Sequence, residues 1–108
     1  MHNKTSVLVL CCNYACYQDW AFDHIPRAAI VQRIGNTGIE TATHRFQMKY
    51  LQVNNIRGYR DVQCVWACRY NRHKFLKREL REIRAIEELL KAQGIVEYEP
   101  EKRKTKST

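Results

Sequence analysis

Apolar positions along this chain follow two different periods, and the change between them sets the expected elements. Residues 6–16 (SVLVLCCNYAC) are almost continuously apolar and rich in β-branched side chains, the pattern of a strand covered on both faces. Residues 17–24 (YQDWAFDH) break that run and are expected to form a loop or a single helical turn, with Trp20 and Phe22 in the core. Pro26 then admits a second strand over residues 27–34, which the turn Gly35-Asn36-Thr37-Gly38 ends. Residues 41–53 alternate: Ala42, His44, Phe46, Met48 and Tyr50 point one way, and Thr43, Arg45, Gln47 and Lys49 the other. After a turn at residues 54–58, a fourth strand over residues 60–70 places Val62, Cys64, Trp66, Cys68 and Tyr70 on one face. Asp61, Gln63, Val65, Ala67 and Arg69 take the other. Short turns between strands two, three and four argue for an antiparallel meander.

Over residues 71–94 the period lengthens. Phe75, Leu76, Leu80, Ile83, Ile86 and Leu90 recur every three or four positions and form one stripe of a helix. Lys74, Lys77, Arg78, Arg81 and Arg84 fall on the opposite side. Asn71 is suited to cap the start, and Gly94 to supply the left-handed residue that ends the helix. Residues 95–98 are expected to add a short fifth strand, stopped by Pro100. The architecture these elements predict is α+β: a four-stranded, mainly antiparallel sheet with one long C-terminal amphipathic helix packed on one face. Residues 1–100 are expected to form a single domain, and residues 101–108 (EKRKTKST) a mobile basic tail. Whether strand one lies at an edge or in the centre is left open by the pattern.

Charge adds a direction for function. The chain has a formal net charge of +8, and it is uneven. Residues 1–54 hold five Lys and Arg (Lys4, Arg27, Arg33, Arg45, Lys49) against three acids (Asp19, Asp23, Glu40); the remainder is far more basic. Such asymmetry points to an anionic partner. The helix also runs against its own dipole. Arg72, His73, Lys74, Lys77 and Arg78 crowd the end that favours acids, whereas Glu87 and Glu88 sit near the other. A bound phosphate is one group that compensates this arrangement.

Cysteine and histidine chemistry is less distinct. Five cysteines, two of them adjacent, do not make a disulfide scaffold, and a reducing, cytoplasmic setting is expected. The run from Val7 to Cys12 is too short for a signal-peptide core, and no stretch is long enough to span a membrane. Cys12 and Cys16 share their spacing with Cys64 and Cys68. In a strand such positions lie ~13 Å apart, too far to chelate one ion, so neither a metal nor a cofactor is expected. Cys68, beside Arg69 and His73, has the best local field for a nucleophile, with His44 or His73 as base, but no surrounding signature supports it. Asp19 and Asp23 would share a face on one helical turn and could hold a divalent ion. Glu79 falls within the apolar stripe and is expected to bond to Tyr50, His44 or Tyr70.

A nucleic-acid surface combines cations for phosphates with aromatics or amides for bases. The turn supplies Arg57, Tyr59 and Arg60, the end of strand four Arg69, and the helix Arg72, Lys74, Lys77, Arg78, Arg81 and Arg84. Arg33, Arg45, Gln47, Lys49, Gln63 and Arg69 are expected on the outward sheet face, opposite the helix. The leading expectation is therefore a small basic domain that binds RNA or DNA mainly through phosphates. Second stands a regulator or inhibitor docking on an acidic protein surface. A cysteine- or metal-dependent enzyme is the least favoured reading. No membrane partner is expected, and the exposed edge at residues 27–34 would allow two copies to pair as a homodimer.

Overall fold

The computed structural model describes residues 4–67 and 76–99, and the sheet is built around its first strand. β1 (Thr5–Cys11) pairs in parallel with β4 (His44–Tyr50) on one side and with β5 (Val62–Trp66) on the other. Beyond β4, the strands β3 (Gly38–Thr41) and β2 (Ile30–Ile34) continue antiparallel. Beyond β5, the two-residue β6 (Val96–Glu97) adds a parallel edge. The sheet is thus six-stranded and mixed, in the order β2-β3-β4-β1-β5-β6. An antiparallel β2-β3-β4 meander is present, but its middle strand β3 is not among the expected strands. The expected pairing of the fourth strand with the third fails: β5 pairs with β1 and not with β4.

The reason lies in β1 itself. Val7, Leu8, Val9, Leu10 and Cys11 are all buried, so both faces of this strand need cover, and only a central position between two layers gives it. Helix α1 (Tyr14–His24) covers one face. There Tyr17, Trp20, Ala21 and Ile25 pack on Val7, Val9, Phe46, Met48 and Val65. Helix α2 (Lys77–Ala92) covers the other, where Ile83, Ile86 and Leu90 pack with Leu8, Leu10, Ile56, Cys64 and Trp66. Two helices and two cores therefore replace the single helix on one face.

α1 is the largest departure from the sequence expectation. The strand stops at Cys11, and Asn13 caps a helix through its side-chain oxygen, which accepts the Cys16 N–H at 2.8 Å. Tyr17, Trp20 and Ala21 make the buried side of that helix, whereas Phe22, expected in the core, is 88% exposed. The expected strand over residues 41–53 is also divided. Thr41 Oγ1 accepts the N–H groups of Thr43 (3.4 Å) and His44 (3.1 Å), which turns the chain between β3 and β4. Single 3-10 turns occupy Arg27–Ala29 and Val53–Asn55, residues expected to be strand or turn.

In α2 the outcome is closer. Gly94, at φ +68°, follows the C-cap Gln93 and ends the helix as expected. Asn71, Phe75 and the end of the expected fourth strand lie outside the described residues, as does the tail. Leu76 and Leu80, placed in the apolar stripe by their spacing, are more than two-fifths exposed. Glu79 bonds to neither Tyr50 nor His44, two of the partners expected for it, and the third, Tyr70, lies outside the described residues. Instead Glu79 Oε1 accepts the Leu76 N–H at 2.9 Å, closing the first turn of the helix from inside. Among the described residues no helix is long and apolar enough to cross a membrane.

Candidate functional site

Parallel strands carry their carboxyl ends on one edge, and a concavity of this fold lies there. β1 and β4 are neighbours, and their chains leave in opposite directions: β1 runs into α1, β4 into the connection of residues 51–61 on the α2 side. Such a divergence leaves a crevice at the strand ends. A cleft of about 520 Å³ occupies it, lined by Cys12 after β1, Tyr50 at the end of β4, residues 51–54 after it, and Arg78, Glu79 and Glu82 of α2.

The connection and α2 run side by side. Val53 N–H donates to Glu82 Oε1 at 2.8 Å near the start of the helix, and Gln93 Nε2 donates to the Tyr59 carbonyl at 2.9 Å just beyond its end. Ile56, fully buried among Leu8, Leu10 and the apolar face of α2, pins the middle of the connection to the sheet. Arg57 and Arg60 are exposed on this connection, and Lys77, Arg78, Arg81 and Arg84 are exposed on the helix. These six cations therefore occupy the same side of the sheet. Among the described residues the ion pairs are Lys4–Glu40 and Arg45–Glu40, so none of the six makes a close ion pair within that set, and Glu79 and Glu82 line the same cleft as Arg78.

The sheet contributes to the same side, which corrects the expected separation of sheet and helix surfaces. Val7 and Val9 pair with Phe46 and Met48 on the α1 face; Ser6, Leu8 and Leu10 pair with Arg45, Gln47 and Lys49 on the α2 face. The core cluster of the α2 side draws its strand residues from β1 and β5, which leaves Arg45 and Gln47 exposed beside the helix. Lys49 stands over the Tyr59 ring, 5.2 Å from its centroid, and links this open floor to the connection. Arg45 is committed elsewhere: its guanidinium holds Glu40 Oε2 at 2.8 Å. That contact, with Lys4 at 3.5 Å, keeps the Glu40 carboxyl below the usual carboxylate range.

Other expected residues separate from this surface. Arg33 pairs with Ile39, and Gln63 with Val7, so both belong to the α1 face. Arg69, Arg72 and Lys74 lie outside the described residues, as do Cys68, Tyr70 and His73. Asp19 and Asp23 are exposed on α1, and no group of three metal-ligating side chains forms among the described residues. His44 is a half-buried residue at the start of β4. It bonds to Thr43 Oγ1 at 2.7 Å and packs against the rings of Phe46 and Tyr98.

The cleft has no signature in the sequence, because it depends on β1 and β4 being parallel neighbours. Cys12 and Cys16 also depart from expectation. Placed in a strand they would be far apart, but Cys16 lies in the first turn of α1, and the two sulfurs are 3.4 Å from each other. No known protein family, curated protein or solved structure matches this chain.

Proposed function

We propose that this chain is a nucleic-acid-binding domain that holds RNA or DNA mainly by its phosphates. One observation carries the reading: the connection of residues 51–61 lies along α2 on one side of the sheet, so Arg57, Arg60, Lys77, Arg78, Arg81 and Arg84 share a side without a close ion pair among the described residues. Tyr59, half-buried beside Lys49, adds a ring on which a base can stack, and Gln47 adds an amide on the adjacent floor. Phosphate neutralisation supplies affinity that is largely independent of sequence, and it releases counterions. Binding of labelled RNA and DNA oligonucleotides, followed by fluorescence anisotropy, should therefore be measurable at low salt and weaken steeply as salt rises. Absence of binding at low salt, or binding indifferent to salt, would overturn the proposal.

A second reading, a regulator docking on an acidic protein, draws on Leu76 and Leu80. These side chains are exposed at the start of α2 beside Lys77 and Arg81. Exposed apolar groups on a basic helix suit a protein surface better than a phosphate backbone. Replacing both leucines with serine discriminates the two: nucleic-acid affinity should persist, whereas a protein complex should be lost.

A further inference from the structure

Two cysteines carry a geometry that phosphate binding leaves unused. Cys12 Sγ and Cys16 Sγ are 3.4 Å apart, and local structure brings them there. After β1 ends, Asn13 takes the N-cap position, and its side chain holds the Cys16 N–H, so the first turn of α1 folds back toward Cys12. Both thiols are only partly buried, and Cys12 lines the cleft at the strand ends. They are thus within reach of a small reagent.

The neighbouring cysteines differ. Cys11 is the last residue of β1 and points into the core beneath α1, where its Sγ lies 3.8 Å from the Lys49 carbonyl. Burial, with Cys16 and Cys12 beside it, pushes its thiol up to about 12, which keeps it protonated and unreactive as a nucleophile. Cys64 is buried on the opposite face among Leu8, Leu10 and α2. Among the described residues, the fold therefore sorts one adjacent, accessible pair from two cysteines that are shut away.

We propose that Cys12 and Cys16 form an oxidisable dithiol that closes to an intramolecular disulfide by exchange with a small disulfide of the glutathione type. In the first step the thiolate of one cysteine attacks a sulfur of the reagent. A new S–S bond forms, the reagent's own S–S bond breaks, and one thiolate leaves and takes up a proton. The second cysteine, after losing its proton, attacks the protein sulfur of this mixed disulfide and expels the remaining thiolate. Overall, the two protein thiols lose two electrons and two protons, and the reagent disulfide becomes two thiols. Closure brings the sulfurs from 3.4 Å to bonding distance, which is ~2.05 Å. Because the second thiol is already adjacent, ring closure outruns the release or persistence of the mixed disulfide.

The test is peptide mapping of the folded full chain after incubation with oxidised glutathione and alkylation of the remaining thiols. The expected product is a Cys12–Cys16 cross-link inside one peptide, with no retained glutathione, and with Cys11 and Cys64 alkylated only after denaturation. In parallel, phenylarsine oxide, which bridges two nearby thiols, should bind the reduced protein stoichiometrically. C12S and C16S should each abolish that binding, and C64S should leave it intact. Glutathione retained at either cysteine, a disulfide from the pair to any other cysteine, no reaction at the pair, or arsenical uptake unaffected by C12S would each overturn the proposal. The mapping needs no variant, so a substitution that disturbs folding does not weaken it.

Discussion

Lys49 Nζ stands 5.2 Å from the centroid of the Tyr59 ring, a contact between the exposed floor of the sheet and the connection that borders α2. It fixes the tyrosine at the seam of the two surfaces and leaves its ring half-buried, with a cation on one side. If bases stack there, Tyr59→Ala should weaken binding of a single-stranded oligonucleotide by ~1–3 kcal/mol, and Tyr59→Phe should retain most of the affinity. Titrations showing Tyr59→Ala equal to the unaltered protein would remove the aromatic contribution from the proposed surface.

The cations should be separable by face. Replacing Arg57 and Arg60 together with alanine should flatten the dependence of log K on log salt, by roughly 0.7 for each phosphate of a single strand that is no longer neutralised. Arg33→Ala, on the α1 face, should leave the slope unchanged. Equal effects from the two faces would mean that the charge acts only in aggregate.

Ile56 is the residue that holds the connection against the sheet, and it is fully buried. Ile56→Ala should cost ~2–5 kcal/mol in urea unfolding, the range for large-to-small changes at buried sites. A loss under about 1 kcal/mol would show that the connection is held mainly by the bonds from Glu82 and Gln93.

Acid should expose the Glu40 cluster. Hydrogen bonding from Arg45 is the chief cause that lowers this carboxyl, with the charge of Lys4 adding to it. A carboxyl lowered on folding contributes stability that is complete above its unfolded value and is lost as pH falls through the folded value. Thermal melts should therefore decline as pH drops below the ordinary carboxylate range, and Glu40→Gln should make that decline shallower. Identical acid limbs for the two proteins would sink this assignment.

Tyr17 predicts the opposite limb. Its hydroxyl is buried without a hydrogen-bond partner among the described residues, and burial raises its pKa to about 12. A group raised on folding contributes stability that is complete below its unfolded value, here near 10.0, and is lost as pH climbs toward 12. Tyr17→Phe should be neutral or stabilising at neutral pH, by up to ~1–3 kcal/mol because an unmet hydroxyl is removed. It should also reduce the alkaline loss of stability. A clearly destabilised Tyr17→Phe protein would indicate that the hydroxyl is satisfied.

What can be read from residue order is mostly local. The uninterrupted apolar run of β1 does signal a strand covered on both faces, yet a meander with one helix covers only one, and that conflict is the clue to a second layer. The clue to α1 is also present: Asn13 as a cap, followed by Tyr17, Trp20 and Ala21 at helical spacing. Phe22 and Tyr14 obscure it, because these aromatics are exposed and spread apolar character around the helix. The break between β3 and β4 turns on one hydroxyl, that of Thr41, in a stretch whose alternation is otherwise unbroken. The side shared by Arg57, Arg60 and α2 is beyond reach of the pattern, since it depends on the chain crossing over β1 after β4, so that β5 pairs on the far side of β1.

The central place of β1 also bears on how the chain is born. Once it leaves the ribosome, β1 must wait for residues 44–50 on one side and residues 62–66 on the other before its hydrogen-bonding edges are filled. Until then a sticky, apolar ribbon is open to other nascent chains. Completion by such distant partners makes folding slow relative to a hairpin-first sheet and leaves that ribbon open for longer.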